Sequence, residues 1–114
     1  MKDLEVYKKI VDLIKYSDKY VLSSFSKSEM SLKIHFNDAL YNLLENVIRA
    51  NVNKGNIRLK HQREMIVNIH FLDYYIEEIT RKKIISNKKY GSFVAKLNVI
   101  RKLLNGWINS EKDK

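Results

Sequence analysis

Residues 81–89, RKKIISNKK, carry five positive charges in nine positions and no acid. Ammonium and guanidinium groups bind phosphate oxygens, so the stretch is either a contact for something negatively charged or a solvated turn between two helices. Basic residues in the last turn of a helix interact favourably with its dipole, which gives the first three a structural use. Lys88 and Lys89 fall in the first turn of the next predicted helix, where positive charge is unfavourable. The pattern therefore favours a phosphate contact.

The positive charge of the chain is concentrated in one region. The net charge is +9, and the segment from Arg49 to Lys102 has thirteen basic and four acidic residues, an excess as large as that of the whole chain. Such a surface attracts phosphate backbones, and without a base-reading motif we expect salt-sensitive binding of DNA or RNA with little sequence preference. The predicted nucleic-acid-binding residues are Arg49, Arg58, Lys60, Arg63, Arg81, Lys82, Lys83, Lys88, Lys89, Lys96, Arg101 and Lys102.

Residues that could perform catalysis or bind a metal are not arranged for it in the sequence. His35, His61 and His70 form no i, i+4 pair and no H-E-x-x-H motif, and the chain has no cysteine. Phosphate-cradling glycine loops and nucleophile elbows are absent too. We therefore predict no catalytic residues, no metal site and no cofactor, hence a protein that is not an enzyme.

The acids of the basic region have spacings typical of ion pairs along a helix. Asp73, Glu77 and Arg81 are four residues apart, as are Glu78 and Lys82, with the acid before the base in each case. We expect these pairs to form. His70 and Asp73 are three residues apart, and we interpret them as a hydrogen-bonded pair.

Length and composition indicate one helical domain. The chain has 114 residues, 45% of them hydrophobic, with no proline and three glycines. This suits a single domain over residues 1–114. No apolar run exceeds three residues, which predicts neither a signal peptide nor a membrane span, and the expected location is the cytoplasm.

Hydrophobic periodicity predicts two helices in the first half of the chain. The first runs from about Asp3 to Tyr20, and Ser26 with Glu29 has the form of a capping box that would start the second. The second ends near NVNKGN, where Gly55 and the asparagines favour a turn. The predicted core stripes are Leu4, Tyr7, Ile10, Val11, Ile14 and Val21 on the first helix, and Leu32, Phe36, Leu40, Leu43, Val47 and Ala50 on the second.

Two further helices follow, separated by the basic stretch. The third is read from Gln62, and Ser86 is the predicted N-cap of the fourth. Short connections between four similar helices favour an all-α, antiparallel up-down-up-down four-helix bundle. The predicted stripes are Gln62, Met65, Ile69, Leu72, Ile76 and Ile79 on the third helix, and Tyr90, Phe93, Leu97, Ile100, Leu104, Trp107 and Ile108 on the fourth.

The second and third helices each have a second apolar strip away from the core stripe. Scattered surface hydrophobic residues are common, but strips at helical spacing are better explained by a subunit interface. We therefore predict a homo-oligomer. The interface residues are Ile34, Tyr41 and Ile48 on the second helix and Val67, Phe71 and Tyr74 on the third.

Three segments resemble the accessory variability determinant (Avd) proteins of diversity-generating retroelements. They are FSKSEMSL, LLENVIRAN and IRKLLNGWINS, and with the intervening helices the similarity spans about residues 7–110. Proteins encoded by ribosomal RNA intervening sequences belong to the same broader group of bacterial four-helix bundles, but their SIPSNIAEG-like segment is missing here. Asn105 stands where the family often has a second glycine before its tryptophan.

The resemblance implies a homopentamer of four-helix bundles with a basic surface. Such a protein binds nucleic acid, either template RNA or DNA, and the element's reverse transcriptase, and takes part in mutagenic retrohoming without catalysing a step itself. The alternative is a stand-alone four-helix-bundle oligomer of the same fold family that interacts with another partner. Gly106 and Trp107 match the family, and we interpret them as packing residues, glycine for a close helix approach and tryptophan for filling volume.

Overall fold

The computed structural model describes residues 4–112, in which four α-helices form an elongated bundle of 47 × 23 × 22 Å. Helix α1 spans Glu5–Tyr20, α2 spans Met30–Val52, α3 spans Gly55–Arg81 and α4 spans Asn87–Lys112. Helix α1 packs against α2 and α4, and α3 packs against the same two helices. The predicted all-α four-helix bundle is confirmed. None of the helices in residues 4–112 has the length and apolar character needed to cross a membrane.

The core stripes of α2, α3 and α4 were predicted well, and that of α1 less well. All six residues of the α3 stripe are buried, whereas Leu32, Tyr90 and Trp107 at the stripe ends are half-buried. On α1 the core residues are Val6, Ile10, Leu13, Ile14, Ser17 and Val21. The α1 prediction was displaced toward one edge of the buried face: its members Leu4, Tyr7 and Val11 are only half-buried, and it left out the buried Val6 and Leu13.

Of three predictions about the helix ends, two are wrong and one is confirmed. The capping box is wrong: the hydroxyl of Ser26 contacts that of Ser28 instead, and α2 starts only at Met30, after a 3₁₀ turn. Helix α3 begins at Gly55, about two turns before the predicted start. The Ser86 N-cap is confirmed, since its hydroxyl accepts a hydrogen bond from the Lys89 amide at 3.2 Å.

Only Asn53 and Lys54 separate α2 from α3, and Gly55 has a φ of 61°, in the left-handed region that suits glycine. The last carbonyl groups of α2 have no partner within the helix. The side chain of Arg58 donates hydrogen bonds to these carbonyl groups. Its Nε donates to the carbonyl oxygens of Ala50 and Asn53 at 2.9 and 2.8 Å, and its second terminal nitrogen donates to that of Asn51 at 3.1 Å.

The guanidinium group of Arg58 also connects this end of the bundle to α4. Its remaining terminal nitrogen forms a hydrogen-bonded ion pair with Glu111, and its Cζ atom lies 5.4 Å from the centroid of the Trp107 ring. The Arg58 side chain is 17% exposed, so solvent screens these contacts little. Arg58 was predicted to bind nucleic acid. The geometry gives it a structural role, because all of its polar groups are occupied within the chain.

The predicted packing role of Gly106 is wrong within the chain. Gly106 is exposed, and a Cβ added there would meet nothing within 4 Å. Trp107 does not fill the centre of the core but lies half-buried beneath Arg58. Trp107, which matches the family, therefore contacts the α2–α3 turn through a cation–π interaction with Arg58.

We expect Arg58→Met to lower the free energy of unfolding by roughly 2–4 kcal/mol, because three carbonyl groups and Glu111 lose a charged donor. The melting temperature should fall by on the order of 10 °C at fixed protein concentration. Arg63→Met is the matched control, since Arg63 is an exposed arginine on the same helix without a carboxylate partner among residues 4–112. Equal melting temperatures for the two variants would contradict the role of Arg58.

Candidate nucleic-acid interface

The connection between α3 and α4 is built on a left-handed lysine. The amide of Lys83 donates to the Thr80 carbonyl at 2.9 Å, and the amide of Ile84 donates to the Ile79 carbonyl at 3.1 Å. This pattern ends a helix with one residue in the left-handed region, where glycine is the usual choice. Here the residue is Lys83, with a φ of 61°, and it is the one non-glycine residue with a positive φ among residues 4–112. A side chain in this conformation costs roughly 1–2 kcal/mol.

The first turn of α4 carries two lysines and no acid. Lys88 and Lys89 follow Asn87, the first residue of the helix, and lie where the free backbone amides already make the potential positive. The predicted placement of these two lysines in a first turn is confirmed. Lys83 and Lys88 are exposed, and none of the three connector lysines, Lys83, Lys88 and Lys89, pairs with a carboxylate among residues 4–112.

Besides Arg58, three of the other predicted cations pair with acids. Both oxygens of Asp73 accept hydrogen bonds from Arg101 at 2.9 Å, and Lys82 lies 3.4 Å from Glu29. Arg81 pairs with Glu78, and the Arg81 hydrogen bond lowers the pKa of the Glu78 carboxyl below its ordinary value. The charges of these residues are thus partly neutralised within the chain.

The expected ion pairs within α3 are wrong in their partners. Asp73 pairs with Arg101 on α4 rather than with His70. Glu78 pairs with Arg81 rather than with Lys82. Glu77 has no ion pair in the structure described. Asp73 and Lys82 thus pair with residues distant in the sequence, one on α4 and one just before α2.

The structure does not gather the predicted cations into one patch. The three connector lysines lie at one end of the bundle, while Arg49, Lys60 and Arg63 lie toward the α2–α3 turn at the other end. Helix α3 has 27 residues, so about 40 Å separates the two ends. Lys96 and Lys102 are exposed along α4 between them. These eight residues have no carboxylate partner among residues 4–112, and they make two basic ends joined along one helix.

An aromatic cluster that was not predicted from the sequence lies beside the connector. The rings of Tyr16 and Tyr20 on α1 lie 4.9 Å apart, with lysine ammonium groups over both. Lys19, immediately before Tyr20, was not among the predicted binding residues. The signal in the sequence was two tyrosines at i, i+4 spacing with a lysine between them, which the search for basic residues alone passed over.

All six predicted interface residues are exposed, from 41% for Ile48 to 60% for Tyr74. The three on α3 line an open groove of about 430 Å³ with His70 and Tyr75, where the Phe71 and Tyr75 rings stack at 6.1 Å. None of the three on α2 lines that groove. The α3 residues thus share one apolar groove, and His35 of α2 stacks on its residue Tyr75 at 6.3 Å.

No group of three or more histidine, aspartate or glutamate side chains in the part of the chain that is described is arranged to hold a metal ion.

Comparison with known protein families gives a match over nearly the whole chain. A family model described as bAvd-like matches residues 4–111, which include all of α1, α2 and α3 and all but the last residue of α4. No curated protein and no solved structure matches the chain.

Proposed function

The chain belongs to the bAvd-like family, and from this premise we propose that it binds nucleic acid and the reverse transcriptase of its retroelement during mutagenic retrohoming. At the level of the family it is an accessory protein of diversity-generating retroelements. The proposed role is that of an adaptor without catalytic residues. It brings a template strand and the polymerase together.

The observation that carries the nucleic-acid part of this proposal is the conformation of the connector. Lys83 occupies a left-handed position that glycine would fill more easily, and Lys88 and Lys89 oppose the dipole of α4. Selection for stability alone would favour glycine at the first site and acids at the other two. Residues that cost stability are found where a function needs them. Three unpaired ammonium groups within seven positions suit a phosphate backbone.

The distribution of charge supports contact with an extended nucleic acid. The two basic ends lie about 40 Å apart, with Lys96 and Lys102 between them on α4. A nucleic acid in contact with both ends and with α4 would meet cations at each of these places. Each neutralised phosphate releases counterions, so affinity should fall steeply with salt.

We propose that nucleic acid bridges part of the contact with the reverse transcriptase. A polymerase channel is itself basic, so two positive surfaces repel each other unless acids are placed between them. Among the four acids between Arg49 and Lys102, Asp73 and Glu78 are engaged by arginines of the same chain. Direct protein contact is therefore expected at the charge-balanced α1 or at the bundle ends, with template RNA between the basic surfaces.

We further propose that the working form is a homo-oligomer, a pentamer by family resemblance. A closed ring joins one surface of each subunit to a different surface of the next. The exposed apolar strips on α2 and on α3 supply the surfaces for such contacts. Exposed aromatic side chains such as Phe71 and Tyr74 are typical of the centre of an interface.

Charge reversal at the connector tests the nucleic-acid proposal. We expect Lys83→Glu combined with Lys88→Glu to weaken binding of DNA and RNA alike, and to reduce the slope of log affinity against log salt by roughly two units for duplex DNA. Lys9→Glu combined with Lys15→Glu is the matched control, because it changes the net charge equally at two exposed lysines of α1 that also lack a carboxylate partner among residues 4–112. Equal losses in the two double variants would contradict a specific role for the connector.

The same variants test the contact with the reverse transcriptase. Co-purification of the polymerase should weaken after nuclease treatment, and without nuclease it should weaken in the connector variant. Undiminished co-purification in both cases would rule out bridging by nucleic acid. The contact would then have to be sought on the apolar strips.

Substitution in the α3 strip tests the oligomer. Light scattering of the unaltered protein should give about five times the 13.6 kDa mass of the chain. Phe71→Glu should lower this mass because it buries a charge at an apolar contact. Val99→Glu, at a similarly exposed residue on α4, should leave it unchanged. A monomeric unaltered protein, or a loss of mass only with Val99→Glu, would contradict the assigned interface.

A further inference from the structure

The end of the bundle that carries the connector has an aromatic cluster, and the positive charge of the connector does not explain its presence. Tyr16 and Tyr20 lie one turn apart on α1, with ring centroids at 4.9 Å and ring planes inclined by 42°. The hydroxyl of Tyr16 donates to the carbonyl oxygen of Lys89 at 3.2 Å, which fixes the start of α4 against α1. Tyr16 packs against the core, whereas Tyr20 does not contribute to it and is 37% exposed.

Three ammonium groups converge on these two rings. The Nζ atoms of Lys19 and Lys89 lie 5.2 and 5.9 Å from the centroid of the Tyr20 ring, and that of Lys96 lies 5.3 Å from the centroid of the Tyr16 ring. None of the three pairs with a carboxylate in the part of the chain described. Asp12 shares a small surface groove with Lys96 without forming an ion pair. Like charges around an exposed ring repel one another unless an anion lies among them.

We infer that Tyr20 is a stacking platform for an unpaired base of a single-stranded nucleic acid, with Lys19, Lys89 and Lys96 holding the flanking phosphates. This inference rests on the proposed function and adds the class of nucleic acid that this end of the bundle selects. Sites for single strands combine a basic groove with aromatic rings on which bases stack. In a duplex the bases are already stacked on one another and are not available to Tyr20.

The lysines do not block the ring. An ammonium group over an exposed tyrosine is held weakly, and the contact is generally weaker than the stacking of a base on an aromatic side chain. A base arriving on the open part of the Tyr20 ring displaces the flexible lysine side chains, which then reach the phosphates on either side. Lys89 and Lys96 are seven residues apart on α4, about 10 Å along the helix, so they can contact different phosphates of one strand.

The test compares three probes: a short oligothymidine strand, the same backbone with abasic sites, and a duplex of equal length. The unaltered protein should bind the oligothymidine more tightly than the abasic strand. Tyr20→Leu, which keeps an apolar side chain of moderate size, should weaken oligothymidine binding about 5- to 100-fold. The same variant should leave abasic-strand and duplex binding and all three salt slopes unchanged. Tyr20→Phe is the matched control and should bind oligothymidine as the unaltered protein does.

The outcomes separate this inference from the proposed function. Equal binding of oligothymidine and abasic strand by the unaltered protein would overturn base stacking, and it needs no variant to be observed. Equal losses of single-strand and duplex binding in Tyr20→Leu would overturn it too. In both cases a salt-dependent affinity that connector charge reversal reduces would leave the proposed function standing. Failure of the unaltered protein to bind any probe at low salt would overturn the proposed function itself.

Discussion

The geometry of this bundle depends on how the α2–α3 turn is closed. Two residues join two helices of 23 and 27 residues, so the last carbonyl groups of α2 have little room to find partners. Arg58 satisfies those of Ala50 and Asn51, and the Asn53 side-chain amide donates to that of Arg49 at 2.7 Å. Because these bonds fix the turn, α2 and α3 stay in register along the most extensive helix contact of the bundle. Arg58 adds α4 to the same end through Trp107 and Glu111.

The register of α2 and α3 is also set inside the bundle. Asn46 donates to Asn68 at 2.8 Å, and both side chains are 9% exposed. A buried amide pair is satisfied in one alignment of the two helices and broken by a shift of one turn. The outer faces of α2 and α3, which carry the two apolar strips, therefore hold a fixed relation to each other.

The opposite end of the bundle differs in how its positive charges are paired. At the α2–α3 turn a positive charge is fully engaged by carbonyl groups and a carboxylate, whereas at the α3–α4 connector three lysines have no acidic partner among residues 4–112. Lys83 also holds a backbone conformation that favours glycine. The contacts at the α2–α3 turn thus stabilise the bundle, whereas the backbone conformation and the charges of the α3–α4 connector destabilise it. In the proposed function, the second end gains phosphate contacts.

The sequence predicted what depends on periodicity and failed where contacts between helices decide. The stripe of α3 and the Ser86 cap follow from local spacing, and the structure has both. The partner of Asp73 did not follow, because Arg101 lies 28 residues away and meets it only after α3 and α4 pack. The role of Arg58 was hidden for the same reason. In the candidate site, the positive charge of the lysines could be predicted from the sequence. The left-handed φ of Lys83 and the position of the rings beside Lys89 could not, because both depend on the folded backbone.

The claim that the connector gives up stability for phosphate binding is tested most directly by Lys83→Gly, with stability and affinity measured on the same sample. Relief of the left-handed strain should raise the free energy of unfolding by up to about 1 kcal/mol, after allowance for the greater freedom of glycine in the unfolded chain. Affinity for nucleic acid should fall, with a salt slope about one unit smaller for duplex DNA. Lys102→Gly, in the middle of α4, removes the same side chain and should lower stability by roughly 0.5–1 kcal/mol. A Lys83→Gly protein that is less stable, or that binds nucleic acid as well as before, would contradict the account.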